Sequence, residues 1–198
     1  MGFGTAPLGN LYTPLDDTMA RTTLDAAWNA GCRLFDTAPF YGLGLAETRL
    51  NPFLRHHRQE SFLLSTKIGR LLKVCPPEMR SAQAHYIDTP AREVIFDYSY
   101  DGVMRSVEDS FARLGVDRID ILLCHDIDPI THESNTVSEQ HLKIFMEGGY
   151  RALDKLRAEG SIKAFGAGLN VWQMCERLAR MGDFDLFLMA GRYTFCLL

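Results

Sequence analysis

A chain of 198 residues is long enough to bury one sizeable core and gives no reason to expect a second. Hydrophobic residues make up 46% and charged residues 23%, with a net charge of −4 spread along the chain, which excludes the basic stripe of a nucleic-acid surface. No run approaches the roughly 18 consecutive apolar residues of a membrane helix, so no membrane partner is expected.

The opening segment MGFGTAPLGNLYTP has no basic leader or long apolar stretch and does not read as a signal peptide. GFGTAPLG reads as a short strand entering a turn. Asp16 and Asp17 cap a helix with Met19, Leu24, Ala27 and Trp28 on its apolar face, ended by Gly31. RLFDTA (33–38) is a buried strand, Ala46 to Leu54 a helix, and SFLLSTKIG (61–69) the third strand. Residues 70–98, with Pro76, Pro77 and Pro90, read as a long irregular connection, a length uncommon unless functional. Asp101 to Arg113 forms a helix stopped by Gly115. DRIDILLCHD (117–126), GSIKAFGAGLN (160–170) and FDLFLMAG (184–191) supply strands four to six. Helices from about Glu139 to Glu159 and from Val171 to Met181 lie between them.

Continuous apolar strands alternating with helices imply a parallel sheet covered by helices, an α/β fold. GLGLAE (42–47) lacks the third glycine of a dinucleotide fingerprint and the acidic residue some twenty positions later, so a (β/α) barrel is preferred over a doubly wound sheet. In such a barrel, chemistry sits at the C-terminal strand ends. Asp36, Lys67 and His125 end strands two, three and four, and Asn170 follows strand five. Alone, each has a bland role as a turn cap, a snorkelling cation or a core histidine; on one rim they converge. Tyr41 leaves the same strand end as Asp36. A phenol titrates near 10, and a neighbouring ammonium lowers that value, so Lys67, held by Asp36, suits Tyr41 to exchange a proton with a carbonyl or alcohol oxygen. His125 orients that oxygen. This set lacks a hydride source, which calls for a nicotinamide cofactor, NAD or NADP.

FDTAPFYGLGLAE, STKIGR and ILLCHD, in this order and at these separations, resemble the strand-two, strand-three and strand-four signatures of the aldo-keto reductase superfamily. The resemblance implies a (β/α)8 TIM barrel with Tyr41 as proton donor, Asp36 and Lys67 as its tuning pair, and His125 as substrate orienter. It also implies NAD or NADP bound across the barrel mouth. GFGTAPLGNLY, FDYSYDGVMRSVEDSFARLGVDRID and AGRYT resemble the D-threo-aldose 1-dehydrogenase branch, which includes L-fucose, L-galactose and pyridoxal 4-dehydrogenases. That branch implies oxidation of a cyclic hemiacetal to a lactone, with a small carbonyl compound or sugar as substrate. Asn170 matches the asparagine that binds the nicotinamide carboxamide. Leu169 stands where a serine is usual and Ala190 where a glutamine is usual. Thr5 is a further cofactor-site candidate.

An eight-stranded barrel takes about 250 residues, so residues 1–198 read as a single, C-terminally incomplete domain with about six of eight strands. Alone, it is expected to be poorly stable and to bind cofactor weakly, because an open barrel exposes two edges. Two rival readings follow from the residues. Lys67 at a strand end could form a Schiff base with a carbonyl substrate, and a truncated barrel could serve as a pseudoenzyme or binding subunit. No metal is expected. His56 and His57 are adjacent and do not share a helix face, and Asp126 and Asp128 in HDID read as turn caps. The five cysteines match no zinc or redox spacing, which fits a reduced, cytoplasmic setting; Cys124 reads as a core residue. Oligomeric state is left open by the sequence.

Overall fold

The computed structural model describes residues 1–81 and 85–191. Residues 192–194 of the AGRYT segment, and Cys196, lie outside the described residues. Six parallel strands form one sheet: β1 (Gly2–Gly4), β2 (Leu34–Asp36), β3 (Leu63–Ile68), β6 (Ile121–His125), β7 (Ala164–Leu169) and β8 (Leu186–Met189), paired in that spatial order. Among the described residues β1 and β8 are its edges. The barrel-type alternation of strand and helix is therefore present as a six-stranded parallel half-barrel.

The side-chain period of two divides each strand between the faces. Phe35, Leu64, Leu122 and Phe165 are fully buried against the helices. Leu34, Asp36, Lys67 and Gly168 face the concave side. The helical layer comprises α1 (Asp17–Asn29), α2 (Leu45–Leu54), α3 (Tyr100–Leu114), α4 (Pro129–His132), α5 (Asn135–Ile144), α6 (Tyr150–Ala158) and α7 (Trp172–Met181). Asp16 caps α1 by accepting from the Met19 amide at 2.7 Å. Met19 faces solvent, and Ala20 with Leu24 takes the buried positions instead. Ser99 caps α3, and Gly115 ends it in the left-handed conformation. No described helix is long and apolar enough to cross a membrane.

Two expectations change. The helix expected over Glu139–Glu159 starts earlier, capped by Ser134, and carries a π-helical turn at Phe145–Gly149 between α5 and α6. There, Gly149 lets the helix approach α3: a Cβ on it would sit 2.5 Å from the Tyr98 carbonyl oxygen. The connection over 70–98 is not irregular throughout, because β4 (Arg70–Val74) and β5 (Arg92–Phe96) form an antiparallel hairpin outside the main sheet.

Candidate active site

The strand ends bring the four expected residues to one concave mouth. Ser65 and Lys67, two residues apart on β3, point to the same side. Ser65 Oγ donates to Asp36 Oδ1 at 2.9 Å, and Lys67 Nζ donates to Asp36 Oδ2 at 2.7 Å and to the Thr37 carbonyl at 2.9 Å. Tyr41 is set by a close backbone crossing. A Cβ on Gly9 would stand 2.6 Å from the Gly42 nitrogen, and one on Gly42, at φ +62°, would stand 2.4 Å from the Gly9 oxygen. That crossing holds the Tyr41 ring with its centroid 4.8 Å from Lys67 Nζ. The His125 ring stands edge-on to Tyr41, centroids 5.8 Å apart. Glu47, at the end of the same motif, is buried and serves the scaffold, accepting from Thr66 and Arg113 at 2.6 Å each.

Burial and charge oppose each other here. Burial pushes the Tyr41 phenol above its usual 10.0, and the Lys67 ammonium opposes this without cancelling it. The net direction is thus the reverse of the lowering expected from Lys67 alone, because the site is more desolvated than a charge-pair argument allows for. Burial works against the Lys67 ammonium, yet Asp36 and Tyr41 outweigh it and raise its pKa. Burial, then Arg70 and Lys67, hold His125 well below 6.5, so its imidazole is neutral.

Asn170 lines the same cavity, of about 490 Å³, together with Leu169, Met189 and Ala190. Thr5 is placed otherwise: it is fully buried, its hydroxyl has no partner, and it is not among the cavity-lining residues. Cys124 is fully buried, and burial drives its thiol well above 9.0. Asp128 does cap a turn, accepting from the Ile130 and Thr131 amides at 3.1 Å. His56 is exposed, whereas His57 stacks on Trp28 at 3.8 Å. Among the described residues no group of three or more His, Cys, Asp or Glu is placed to hold a metal ion.

Asp126 departs from its expected capping role. With φ at +46° it turns its carboxylate into the mouth, where it accepts from Arg70 at 2.7 Å and from Asn170 Nδ2 at 2.9 Å. Its Oδ2 lies 3.2 Å from His125 Nε2. Burial raises Asp126 to about 6 despite Arg70. Arg70 lies between two rings, 4.0 Å from the Phe40 centroid and 5.4 Å from that of Phe96. Phe40, Tyr86 and Asp126 form a shared wall between the first cavity and a second of about 680 Å³, edged by Arg70, Phe96 and Glu133. Arg70 was legible only as the last letter of STKIGR, and Tyr86 gave no signal.

A parallel half-barrel with its polar residues gathered at the C-terminal strand ends is the layout of a (β/α) barrel enzyme, and the chain belongs to the aldo/keto reductase family, whose model matches residues 1–197. It is 44% identical to pyridoxal 4-dehydrogenase of Microbacterium luteolum and 42% identical to D-threo-aldose 1-dehydrogenase of a Pseudomonas species, each over 98% of this chain. The chain spans 58% and 57% of those two relatives. Its fold matches an aldo-keto reductase from Bacillus halodurans in holo form, with a TM-score of 0.66 over 96% of this chain and 52% of that one, at 24% identity. A glycerol dehydrogenase from Gluconobacter oxydans matches at a TM-score of 0.63 and 23% identity, over 94% and 49% of the two chains.

Proposed function

We propose that residues 1–198 carry, as one domain, the catalytic groups of an NAD- or NADP-dependent dehydrogenase that oxidises the hemiacetal carbon of an aldose. The single observation behind this reading is the sharing of Lys67. Its Nζ holds Asp36 at 2.7 Å and sits 4.8 Å from the centre of the Tyr41 ring, against which His125 stands edge-on.

The lining suits a nicotinamide. Asn170 offers a carboxamide, Leu169, Met189 and Ala190 offer an apolar bed, and Gly168 leaves room for Lys67, whose Cε would be 3.1 Å from a Cβ there. When bound, the nicotinamide supplies the hydride acceptor. Burial favours the protonated Tyr41, the form that donates to a carbonyl oxygen in the reducing direction; in the oxidising direction the phenolate form, stabilised by Lys67, takes the proton of the anomeric hydroxyl as the carbon gives up its hydride. Lys67 offsets the negative charge that develops on the Tyr41 oxygen, and Asp36 keeps Lys67 charged and in place. His125, neutral, donates to the substrate oxygen. An aldose is favoured as substrate by the second cavity, where Asp126, Arg70 and Glu133 offer partners for hydroxyls and Phe40 and Phe96 offer apolar faces for sugar C–H groups. The names of the two relatives above, an aldose and a pyridoxal dehydrogenase, fit the same chemistry.

The test is absorbance of reduced nicotinamide with NAD or NADP and L-fucose, L-galactose, D-arabinose or pyridoxal. Turnover by the wild type is expected to fall by about three orders of magnitude in Tyr41→Phe, the size of a lost acid–base group. Equal turnover in the variant would overturn the assignment of Tyr41. Absence of turnover with both cofactors and the whole panel, in this chain and in one extended to a full barrel, would favour the binding-subunit reading; turnover only in the extended chain would make residues 1–198 an inactive part of the dehydrogenase.

A further inference from the structure

We propose that Asp126 is the positioning residue of this mouth: its carboxylate fixes the proton of His125 on Nε2 and the orientation of the Asn170 carboxamide, while Arg70 fixes the carboxylate.

Asp126 sits in the left-handed region at φ +46°, a conformation unfavourable for an ordinary L-residue and tolerated best by Asp and Asn. The strain turns the side chain back into the barrel mouth instead of along the β6 exit. Its Oδ2 accepts from Arg70 at 2.7 Å, and Arg70 is itself 4% exposed and clamped between Phe40 and Phe96. The carboxylate therefore has little freedom to turn. His125 Nε2 lies 3.2 Å from this same oxygen. The approach is too oblique for a hydrogen bond, yet the carboxylate charge favours an N–H over a lone pair beside it, so the neutral imidazole carries its single proton on Nε2, still free for a substrate oxygen, and leaves Nδ1 bare. Consistent with that, Nδ1 is buried with no hydrogen-bond partner. A neutral histidine must have one nitrogen as donor and one as acceptor, and Asp126 decides which.

The other oxygen, Oδ1, accepts from Asn170 Nδ2 at 2.9 Å. One amide hydrogen is thereby committed, and Asn170 Oδ1 must lie on the opposite side of its carboxamide. The backbone amide of Asn170 is held separately by Asp128 Oδ2 at 3.2 Å. Both the chain and the side chain of Asn170 are thus anchored by β6-exit carboxylates. That the freed face of Asn170 meets a nicotinamide carboxamide rests on the dehydrogenase reading; the His125 tautomer does not.

Asp126→Asn and Asp126→Ala separate the two roles. An asparagine has only one acceptor end. The charged Arg70 claims it, so the new amide nitrogen faces Asn170 and forces that carboxamide to invert, while the His125 proton stays on Nε2. Alanine releases both residues. The experiment is nitrogen-15 NMR of the histidine rings and of the Asn170 side-chain amide, with equilibrium titration by NAD+ and NADP+, on the full chain. In the wild type a single Nε2–H tautomer is expected for His125. In Asp126→Asn that signal persists, the Asn170 amide resonances move, and cofactor affinity falls about tenfold, the scale of one hydrogen bond. In Asp126→Ala the His125 signals show both neutral tautomers. Unmoved Asn170 resonances in the first variant together with an unmoved His125 signal in the second would overturn the proposal. If alanine prevents folding, the asparagine variant decides alone through Asn170, since asparagine keeps the backbone conformation. Shifted NMR signals with no binding of either nicotinamide in any form would sink the dehydrogenase reading and leave Asp126 in its role; turnover with unmoved signals would do the reverse.

Discussion

Two ion pairs share one mouth and look alike on paper. Lys67–Asp36 and Arg70–Asp126 both close at 2.7 Å, with cations 2% and 4% exposed. They differ in what holds the cation. Lys67 is a point charge on a flexible stem, and its ammonium is divided between Asp36, the Thr37 carbonyl and the Tyr41 ring. Arg70 is a plane clamped between two aromatic rings, and of the two residues only its fork reaches Asp126. On the proposed role of Tyr41 in proton exchange, the first pair can rebalance as that proton comes and goes; the second is a fixed strut. Geometry of the contact alone does not distinguish the two, whereas the chemistry of the cation does.

Exchanging the cations breaks the comparison most severely at position 67. Lys67→Arg places a bulky fork in a pocket with no room beside Gly168, and Lys67→Met leaves Asp36 with only Ser65. Both are expected to lower turnover by about a thousandfold, and Met should also remove about 3 kcal/mol of stability, the cost of orphaning a buried partner. Nicotinamide absorbance and urea unfolding measure these effects; a Lys67→Arg enzyme with near-normal turnover would show that the two cations are interchangeable after all.

Arg70→Lys is expected to be milder. The charge is retained but stacking on Phe40 and Phe96 is lost, worth about 1–2 kcal/mol at a desolvated site, with turnover falling by less than about tenfold. Urea midpoints compared with those of the position-67 variants would test the order. A larger stability loss from Arg70→Lys than from Lys67→Met contradicts it.

The smallest effect concerns acid. Asp126, raised to about 6 from 3.8, binds its proton more tightly in the folded chain, so between these values stability rises as pH falls. His132 runs the other way. Burial first, then His141 and Arg70, lower it from 6.5 to about 4, so the unfolded chain takes up the proton first and stability falls as pH drops across that window. The groups around Asp126 include Arg70, Lys67 and Asp128, with Asn170 on its carboxylate. The two trends oppose each other over roughly pH 4–6. In His132→Gln that histidine's share of the acid loss is removed, so its melting temperature relative to wild type should climb between pH 7 and pH 5. A constant difference across that range would refute the balance.

The parts of this arrangement that could be read from the sequence are those written locally. Apolar runs ending in Asp36, Lys67 and His125 placed three strand ends, and caps such as Asp16 and Gly115 bounded their helices. The hairpin escaped because prolines at 76, 77 and 90 suggest an irregular connection, while its pairing joins Arg70 to Phe96 across 26 positions. The π-helical turn escaped because Gly148-Gly149 within a helical pattern does not announce a change of hydrogen-bond period. Asp126 was misread for two reasons. Its positive φ is invisible in the letters HDID, and the guanidinium it accepts from lies 56 residues away. Thr5 was placed by analogy alone, and its burial shows how far adjacency to a strand end is from access to a cavity.

The hairpin has a consequence for one side of the mouth. Its two stems meet: the Asp97 amide donates to the Gly69 carbonyl at 3.0 Å, and Gly69, at φ +99°, leaves no space for a side chain beside the Tyr98 ring. The hairpin is nonetheless laced to the loops around Tyr41: Asn10 Nδ2 donates to the Ile87 carbonyl at 3.0 Å and Arg92 to the Leu43 carbonyl at 2.8 Å. Altering it is therefore expected to be felt on the Tyr41 side of the mouth, where Tyr86 stands, whereas Lys67 is held from β3 by Asp36.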